Sequence, residues 1–401
     1  MPELYLVYAV GGVVSLLLAL VSRQIRHLPV TEPLLAMLVG VLVGPQVLDL
    51  LVLHEHQRDV LLLEGSRLLL AFSVTAAALR FPASELRPSV RSVALLLVVV
   101  MPVAALAAGA AALVLGLPLA LALLVGTCLS PTDPVLASSV VSGEPAEQTL
   151  PARIRQLLTA ESGANDGLAL PLVGFAVVAV LPVTWTADTA VRLVWEVLGA
   201  TVIGVVMGVL AGLGLKAATR HRELAPGPEL VYTLLLAVAV LGVSRLAGTG
   251  GVLAAFVAAL AYNLRTGDQE RESESRVDEA INRYAVLPLF LLLGAVLPWR
   301  EWAEFGPVAL VFVAAVLMLR RLPWILLLRS FLGLRRRDAV FTGWFGPMGV
   351  SAIFYLAQSI HKGVTDPRLF AAGTLAIAAS VIASGISAAP GTRAYGRSST
   401  S

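Results

Sequence analysis

The sequence predicts an all-α polytopic membrane protein with about thirteen transmembrane helices, built as two inverted six-helix repeats. Three observations lead to this prediction. Hydrophobic residues make up 58% of the chain and charged residues only 14%, whereas soluble domains carry roughly 25% charge. Apolar runs of about 20 residues, the length that spans a bilayer as a helix, recur along the chain. Two of these runs are interrupted by proline or glycine at corresponding positions.

Thirteen apolar segments follow one another along the chain. They lie near residues 4–22, 29–48, 60–79, 90–115, 118–142, 153–180, 191–217, 229–247, 249–264, 281–298, 306–330, 338–361 and 367–389. They divide into a first set of six segments, one linking segment and a second set of six. The fifth segment of the chain therefore corresponds to the twelfth. The fifth contains SPTDP and the twelfth contains TGWFGPMGVS, and each is expected to be a broken helix that crosses the other. Paired broken helices in matching halves are typical of transporters with a binding site at the membrane midplane.

Lysine and arginine are distributed unevenly between the two sets of loops. Twenty-two of the 29 lie in loops that follow odd-numbered segments, six lie in the other set, and Arg67 lies within a helix. Because basic residues concentrate in cytoplasmic loops, we expect an outside N-terminus and a cytoplasmic C-terminus in the cell membrane. The opening MPEL lacks a basic n-region, so the first segment is expected to be retained. The arginines form no single stripe of the kind that binds nucleic acid.

The break in the fifth segment places a carboxylate inside the membrane. Pro131 and Pro134 lack the N–H that would continue the helical hydrogen bonds, so carbonyl groups of the preceding turn are left free. Proline also disfavours helical geometry in the residue before it, so we expect an extended stretch at Thr132 and Asp133. Unwound backbone persists in a bilayer only where it is buried in protein or lines a wet cavity. The break therefore predicts a binding site in preference to a packing kink.

The sixth segment carries a second carboxylate. Ser162 and Asp166 lie one helical turn apart, as do Glu161 and Asn165. Asp166 lies about 20 Å along the helix from Arg153, near the middle of the bilayer, where an ionisable side chain is by default a functional residue. Carboxylate, hydroxyl and carbonyl oxygens suit a hard monovalent cation and differ from the Cys and His ligands of zinc and copper sites. We expect no cofactor, because the cation is cargo.

These motifs resemble a known family. SPTDPVLASSVVSGEPAE, followed by RIRQLLTAESGANDGLALPL, is similar to the signature of monovalent cation/proton antiporters of family 1, which include NhaP-type and fungal plasma-membrane sodium/proton antiporters. GWFGPMGVSAIFY in the twelfth segment extends the resemblance. It implies a homodimer that exchanges sodium, or potassium or lithium, for protons and serves pH homeostasis. It also implies one transporter domain over 1–389, with a core at about 60–180 and 306–389, a dimerisation domain at about 1–50 and 191–298, and a cytoplasmic tail at 390–401.

The resemblance also assigns a site on the fifth and sixth segments. Its residues are Asp166, Asp133, Ser162, Thr132, Asn165 and Glu161. Asp166 would bind either the cation or a proton, and the hydroxyl of Ser162 and the main-chain oxygen of Thr132 would complete the site with Asp133. Asn165 would orient the crossing chains, and Glu161 would lie at the edge of the cavity. Competition between cation and proton at Asp166 would then drive exchange by alternating access, because only a neutralised site crosses the low-dielectric barrier.

One position departs from the family pattern. The NhaP-type members that this chain resembles usually carry Gly-Pro-Arg-Gly in the break of the twelfth segment. Their arginine pairs with the glutamate that corresponds to Glu161. In this chain Met348 occupies the position of that arginine. Fungal relatives are likewise apolar at this position. An unpaired buried glutamate is expensive, so Arg320 and Arg321 at the end of the eleventh segment are the alternative partners. The role of Glu161 is therefore left open by the sequence.

Asn165 and the residues around the two aspartates help to distinguish the competing functions. Electrogenic relatives resemble this sequence but carry a second aspartate at Asn165, so one carboxylate fewer predicts one proton per cation. A potassium-selective antiporter is the closest alternative. A cation channel is more remote, because nothing resembles a filter of stacked carbonyls. An intramembrane aspartyl protease is also remote, because neither Asp133 nor Asp166 follows the Gly-x-Gly-Asp pattern. The chain is expected to be a transporter and not an enzyme.

Three further features complete the sequence-based predictions. Cys128, the single cysteine, lies in an apolar segment and is expected to pack in the interior. The polar stretch 265–284 is expected to be a solvated cytoplasmic connector. Gly204, Gly208 and Gly212 form a small-residue stripe that allows close helix packing, either within the fold or between protomers.

Overall fold

The computed structural model describes residues 2–21, 30–80, 89–141, 144–181, 186–220, 228–265 and 283–397. Within these ranges the regular elements are all helices, and no β-strand occurs. In chain order the helices are α1 (Pro2–Leu20), α2 (Glu32–Val43), α3 (Glu55–Leu79), α4 (Val90–Leu115), α5 (Leu119–Leu129), α6 (Pro134–Val141), α7 (Glu144–Thr149), α8 (Ala152–Val180), α9 (Ala187–Arg220), α10 (Pro228–Leu246), α11 (Gly251–Asn263), α12 (Leu287–Ala295), α13 (Trp299–Phe305), α14 (Val308–Leu319), α15 (Leu322–Leu332), α16 (Arg336–Trp344), α17 (Val350–His361) and α18 (Pro367–Arg397). The all-α prediction is confirmed for this part of the chain.

The described helices have the length and surface of membrane spans. Six stretches are long and apolar enough to cross a bilayer, namely α3, α4, α8, α9, the α14–α15 pair and α18. Shorter apolar helices include α1, α2, α5, α10 and α11. Large aliphatic side chains face outward: Leu310 is 75% exposed and Leu327 is 72% exposed. A lipid-facing surface is apolar in this way, whereas a soluble surface rarely is, so the chain is a multi-pass membrane protein.

The predicted segments coincide with helices, with one break that the sequence did not indicate. All thirteen segments contain helix, and the fifth and twelfth are broken as predicted, because 130–133 and 345–349 are not helical. The eleventh segment was expected to be continuous but is interrupted at Arg320 and Arg321, between α14 and α15. Both arginines are buried between these two helices and do not lie in a solvated loop. The number of membrane crossings stays a prediction.

The last helix is longer than expected. The sequence placed its end at 389 and a tail at 390–401, but α18 continues to Arg397. Side-chain contacts hold this extension, because the Tyr395 ring packs edge-on against Phe341 at 5.1 Å and its hydroxyl donates to Asp338 Oδ1 at 2.6 Å. The polar connector predicted at 265–284 lies almost entirely outside the described residues.

Glycines bring three helix pairs into main-chain contact. A Cβ atom at Gly126 of α5 would collide with a main-chain oxygen of α4, and one at Gly294 of α12 would collide with a main-chain oxygen of α2. A Cβ at Gly208 of α9 would likewise collide with the main chain of α11. The glycine stripe of α9 therefore packs within the fold, which answers the question that its sequence left open.

Helix α8 lies at the centre of the packing. It contacts α3, α5, α6, α11 and α17, and α17 in turn packs against α3, α5 and α18. Pro171 interrupts the hydrogen-bond ladder of α8 without ending the helix. Cys128 of α5 is fully buried, as predicted. This arrangement brings the two helix breaks next to the polar residues of α8.

Candidate functional site

The two helix breaks meet at a main-chain crossing. The N–H of Asp133 donates to the carbonyl oxygen of Pro347 at 2.8 Å, which joins the break of the fifth segment to that of the twelfth. Gly349 makes this approach possible, because a Cβ atom there would collide with the carboxylate of Asp133. The crossing is tied to α18 as well, since the N–H of Met348 donates to Ser380 Oγ at 2.8 Å.

Asp133 caps two helices at this crossing. Its Oδ1 accepts hydrogen bonds from the N–H groups of Val135 at 2.7 Å and Leu136 at 3.1 Å, at the start of α6. Its Oδ2 accepts from the N–H of Val350, at the start of α17. Helix N-termini carry unpaired N–H groups and partial positive charge, so a carboxylate is stabilised there. Both carboxylate oxygens of Asp133 are therefore committed to the backbone.

Arg320 has the complementary role at the opposite helix ends. Its Nη1 donates to the carbonyl oxygens of Leu129 at 2.9 Å, Ser130 at 3.0 Å and Pro131 at 3.2 Å, where α5 ends. Its Nη2 donates to the carbonyl oxygen of Gly346, just after α16. Helix C-termini carry unpaired carbonyl groups and partial negative charge, which a cation offsets. The carbonyl group of Ser130, which Pro134 leaves without a helical partner, thus has a buried partner in Arg320.

Arg321 supplies the partner of Glu161. Arg321 Nη2 donates to Glu161 Oε2 at 2.6 Å and Nη1 donates to Oε1, so the ion pair is bidentate. The side chains are only 5% and 3% exposed. Arg321 Nε also donates to the carbonyl oxygen of Thr342 at 3.1 Å, which ties the pair to α16. Of the two alternative partners, Arg321 is the one that contacts Glu161, and Met348 packs in the hydrophobic core.

Asp166 differs from the other carboxylates of the site because its oxygens are unpartnered. The residue is fully buried, and neither Oδ1 nor Oδ2 has a hydrogen-bond partner among the described residues. The hydroxyl of Ser351 lies against this carboxylate outside ordinary hydrogen-bond geometry, and Asp133 is close enough for the two charges to interact. An isolated buried carboxylate is costly, so this group is suited to binding a proton or a cation.

The remaining predicted residues surround Asp166. Asn165 Nδ2 donates to Thr132 Oγ1 at 2.7 Å, which links α8 to the break of the fifth segment, while Asn165 Oδ1 has no partner among the described atoms. Ser162 is buried and donates weakly to the carbonyl oxygen of Thr159 at 3.3 Å. The structure thus brings all six predicted residues to one buried region, with Asp133 and Glu161 engaged in capping and ion pairing.

Helix α17 contributes residues that the sequence reasoning did not assign. Ser351 lies beside the Asp166 carboxylate, and the hydroxyl of Tyr355 donates to the main-chain oxygen of Asp166. The signal was present in the sequence, because Ser351 and Tyr355 lie one turn apart in the otherwise apolar stretch after the break. Polar residues on one face of an apolar helix indicate a buried polar surface.

Gly349→Ala is expected to destabilise the protein by about 1–3 kcal/mol, the usual cost of overpacking a close contact. The added methyl group would displace Asp133 from the start of α17. Thermal unfolding in detergent measures the effect. Gly242→Ala is the matched control, because a Cβ at Gly242 meets no atom within 4 Å. Equal unfolding temperatures for the two variants would contradict a tight crossing.

Comparison with known proteins identifies relatives of this architecture. The model of a family described as the transmembrane sodium/hydrogen exchanger matches residues 12–393. Na(+)/H(+) antiporter 2 of Zygosaccharomyces rouxii is 31% identical over 369 residues, covering 87% of this chain and 45% of the yeast protein. An Na(+)/H(+) antiporter of Schizosaccharomyces pombe is 30% identical over 347 residues, covering 82% of this chain and 74% of the Schizosaccharomyces pombe protein. The chain thus spans about half the length of the first relative and about three quarters of the second.

A solved structure has the same fold. The sodium proton antiporter MjNhaP1 of Methanocaldococcus jannaschii superposes with a TM-score of 0.76 over 96% of this chain and 95% of that protein, at 18% sequence identity. The similarity therefore extends over the whole helical arrangement described above. With a family match over nearly its entire length, the chain belongs to the transmembrane sodium/hydrogen exchanger family.

Proposed function

We propose that this protein exchanges a monovalent cation for a proton across the cell membrane. The observation that carries the proposal is the Asp166 carboxylate, which is fully buried and unpartnered beside the crossing of the two broken helices. The family is one of transporters and not of enzymes, and relatives from yeasts are named Na(+)/H(+) antiporters. Exchange of sodium for protons is the form of the proposal that fits these relatives best.

Competition at Asp166 is the mechanism that we propose. An unpartnered carboxylate in a low-dielectric interior is stabilised by either a proton or a cation, and each occupant neutralises it. Only one of them binds at a time, so outward passage of one is coupled to inward passage of the other. A neutral site crosses the membrane interior at lower cost than a charged one, so the empty, charged site would stay on the side where it was vacated.

The cation would be held mainly by oxygens that have few other partners. We propose the Asp166 carboxylate, Asn165 Oδ1, the Ser162 hydroxyl and the main-chain oxygen of Thr132, which combine charged and neutral oxygen ligands. Asp133 would act through its negative charge, because its two oxygens already accept backbone hydrogen bonds.

Glu161 would act differently from the other five residues. Its carboxylate is occupied by Arg321 in a bidentate ion pair, so it has little capacity left for a cation. We propose that Glu161 holds Arg321, and through Arg321 the end of α16, in place at the edge of the site. No resident cofactor takes part in this mechanism, since the cation is cargo.

Exchange is expected to be electroneutral. Asn165 cannot titrate, so Asp166 alone would exchange one proton for one cation, and no net charge would move. In proteoliposomes with opposed sodium and pH gradients, the gradient at which flux reverses should stay the same when a membrane potential is imposed. The same vesicles at zero potential are the control. A reversal point that shifts with voltage would contradict one-for-one exchange.

We extend the proposal to topology and assembly. Thirteen spans in two inverted six-helix repeats agree with paired breaks at α5–α6 and α16–α17, with the N-terminus outside and the C-terminus in the cytoplasm. Within this arrangement a core at about 60–180 and 306–389 would move against a dimerisation domain at about 1–50 and 191–298. A homodimer in the cell membrane that serves pH homeostasis would fit this division.

Cation pulses on purified protein in proteoliposomes test the proposed function. Sodium, potassium or lithium is added to vesicles that hold a pH gradient, and the internal pH is followed. Loss of the gradient with sodium supports sodium/proton exchange, and loss with potassium alone would favour a potassium-selective antiporter. Cation flux that leaves the pH gradient unchanged would indicate a channel and overturn the proposal.

A further inference from the structure

Helix α17 carries a polar face that leads away from Asp166. Ser351, Tyr355 and Gln358 are spaced four and three residues apart, so they lie on one side of the helix. The face begins at Asp166, whose main-chain oxygen accepts the Tyr355 hydroxyl. It extends about 10 Å from Ser351 to Gln358, toward the end of α17. Beyond it, Lys362 follows one turn after Gln358 at the surface.

A cavity runs alongside this polar face. It is narrow and open to the outside, and both Asp166 and Gln358 line it. On the other side it is lined by Glu196 of α9 and by the turn between α10 and α11, near Thr249. Because Glu196 also contacts Lys362, the cavity leads from the buried carboxylate toward the surface at which α17 ends, here called the Lys362 face.

Two oxygens in this cavity lack partners. Gln358 is only 7% exposed, and its Oε1 accepts no hydrogen bond from the described residues. Glu196 Oε1 accepts from Lys362 Nζ at 3.3 Å, but Glu196 Oε2 is buried and has no partner among the described atoms. Native structures satisfy nearly all buried polar atoms, so two unsatisfied acceptors in one cavity can hold a ligand, and an amide oxygen beside a carboxylate oxygen suits a hard cation.

The charges around the cavity make such binding weak. Asp166 and Glu196 are acidic, Arg67 and Arg245 are basic, and Arg67 is itself paired with Glu64. Because these acidic and basic charges nearly balance, they do not attract a cation strongly. A site on a transport path must bind strongly enough for ions to enter and weakly enough for them to leave. The lining fits transient occupancy better than permanent storage.

We propose that Gln358 Oε1 and Glu196 Oε2 form an outer relay site for a monovalent cation between the Lys362 face and Asp166. The inference rests on the proposed function, because the relay supplies cations to the exchange site. A cation at the relay takes one neutral and one charged oxygen from the protein and keeps water as its other ligands. The charge of Lys362 competes for the same carboxylate, which limits the residence time of the cation.

Anomalous scattering from crystals soaked in Tl⁺ locates the cation directly. The expected result is one peak at Asp166 and a second between Gln358 and Glu196. Gln358→Leu is expected to lose the outer peak and keep the inner one. Gln358→Glu, which retains an oxygen in place, is expected to keep both and covers the case in which the leucine variant fails to fold.

Each outcome separates the relay from the exchange site. A peak at Asp166 alone in the unmodified protein would overturn the relay and leave the proposed function intact. Peaks at neither position would overturn both. Transport adds a second readout: Gln358→Leu should raise the KM for sodium supplied at the Lys362 face about fivefold to tenfold, the effect of losing one hydrogen-bond-strength contact.

The side of sodium addition distinguishes a relay from general damage. The KM for sodium supplied at the opposite face should not change in Gln358→Leu, because that route reaches Asp166 without the relay. Gln46→Leu is the matched control, since Gln46 is exposed in the turn after α2 and lies outside the cavity. An equal rise of KM at both faces would overturn the relay.

Discussion

Asp166→Asn is expected to abolish proton-coupled cation flux while leaving the protein folded. Asparagine keeps the size and shape of the side chain, but it neither takes up a proton nor balances the charge of a cation. Both carboxylate oxygens are buried without a partner in the described structure, so a neutral amide costs less to bury than the charged group. The unfolding temperature in detergent should therefore equal or exceed that of the unmodified protein. Proton flux in proteoliposomes measures the loss.

Two further aspartate-to-asparagine variants serve as controls. Asp366 pairs with Arg368 at 2.7 Å in an exposed turn, so Asp366→Asn should transport normally. Asp133→Asn puts an NH₂ donor in the place of one carboxylate oxygen that caps a helix, and this change should cost about 1–3 kcal/mol of stability. Normal flux in Asp166→Asn would exclude Asp166 as the exchange site. An unfolding temperature as low as that of Asp133→Asn would assign Asp166 a structural role instead.

Arg321→Met is expected to lower the free energy of unfolding by about 3–5 kcal/mol. It leaves the Glu161 carboxylate buried at 2% exposure with no cation beside it, and breaking one side of a buried ion pair usually costs this much. Replacing both partners, in Glu161→Leu/Arg321→Met, removes the uncompensated charge and should recover most of the loss. Thermal and chemical unfolding of the purified protein measure both effects.

A surface ion pair provides the matched control for Arg321. Arg300 and Glu304 form an i,i+4 pair whose side chains are 90% and 67% exposed, so Arg300→Met should change stability by no more than about 0.5 kcal/mol. If Arg321→Met cost as little as Arg300→Met, the buried pair would not hold the site together.

The family pattern suggests a rescue of the Arg321 variant. Met348 and Arg321 line the same small cavity beside the crossing, and NhaP-type antiporters resemble this sequence but carry arginine at the position of Met348. Adding Met348→Arg to Arg321→Met should place a guanidinium near Glu161 again and restore part of the lost stability. No recovery would mean that α16 needs the contact of Arg321 with Thr342 as well as the charge.

The site residues that the sequence singles out most clearly are those with an unusual local context. Asp133 lies between two prolines and Asp166 lies in an apolar helix, and each context alone marks a costly group in a bilayer. Each helix break, and likewise the polar face of α8, could be predicted from the spacing of residues within its own segment. The structure brings these residues together at the crossing, and the link from Asn165 to Thr132 agrees with the orienting role that the resemblance implied.

The partners that come from distant segments could not be assigned in the same way. Arg320 and Arg321 stand next to each other in sequence, yet one caps α5 and the other pairs with Glu161 of α8. Which arginine faces which helix depends on tertiary packing, and their position at the end of an apolar run is equally typical of a membrane-end anchor. The end of α18 was misplaced for the same reason, because the contact of Tyr395 with Asp338 joins residues far apart in the chain.

The glycine-mediated helix pairs have a mechanical consequence. Where main chains touch, as in α4–α5, α9–α11 and α2–α12, no side chain can change rotamer to accommodate sliding, so each pair resists shear as a single rigid strut. Any change of access to Asp166 must then move these struts whole. The molecule can deform more easily at the side-chain interfaces between these pairs, such as the one where Gly163 of α8 faces the ring of Phe256 of α11.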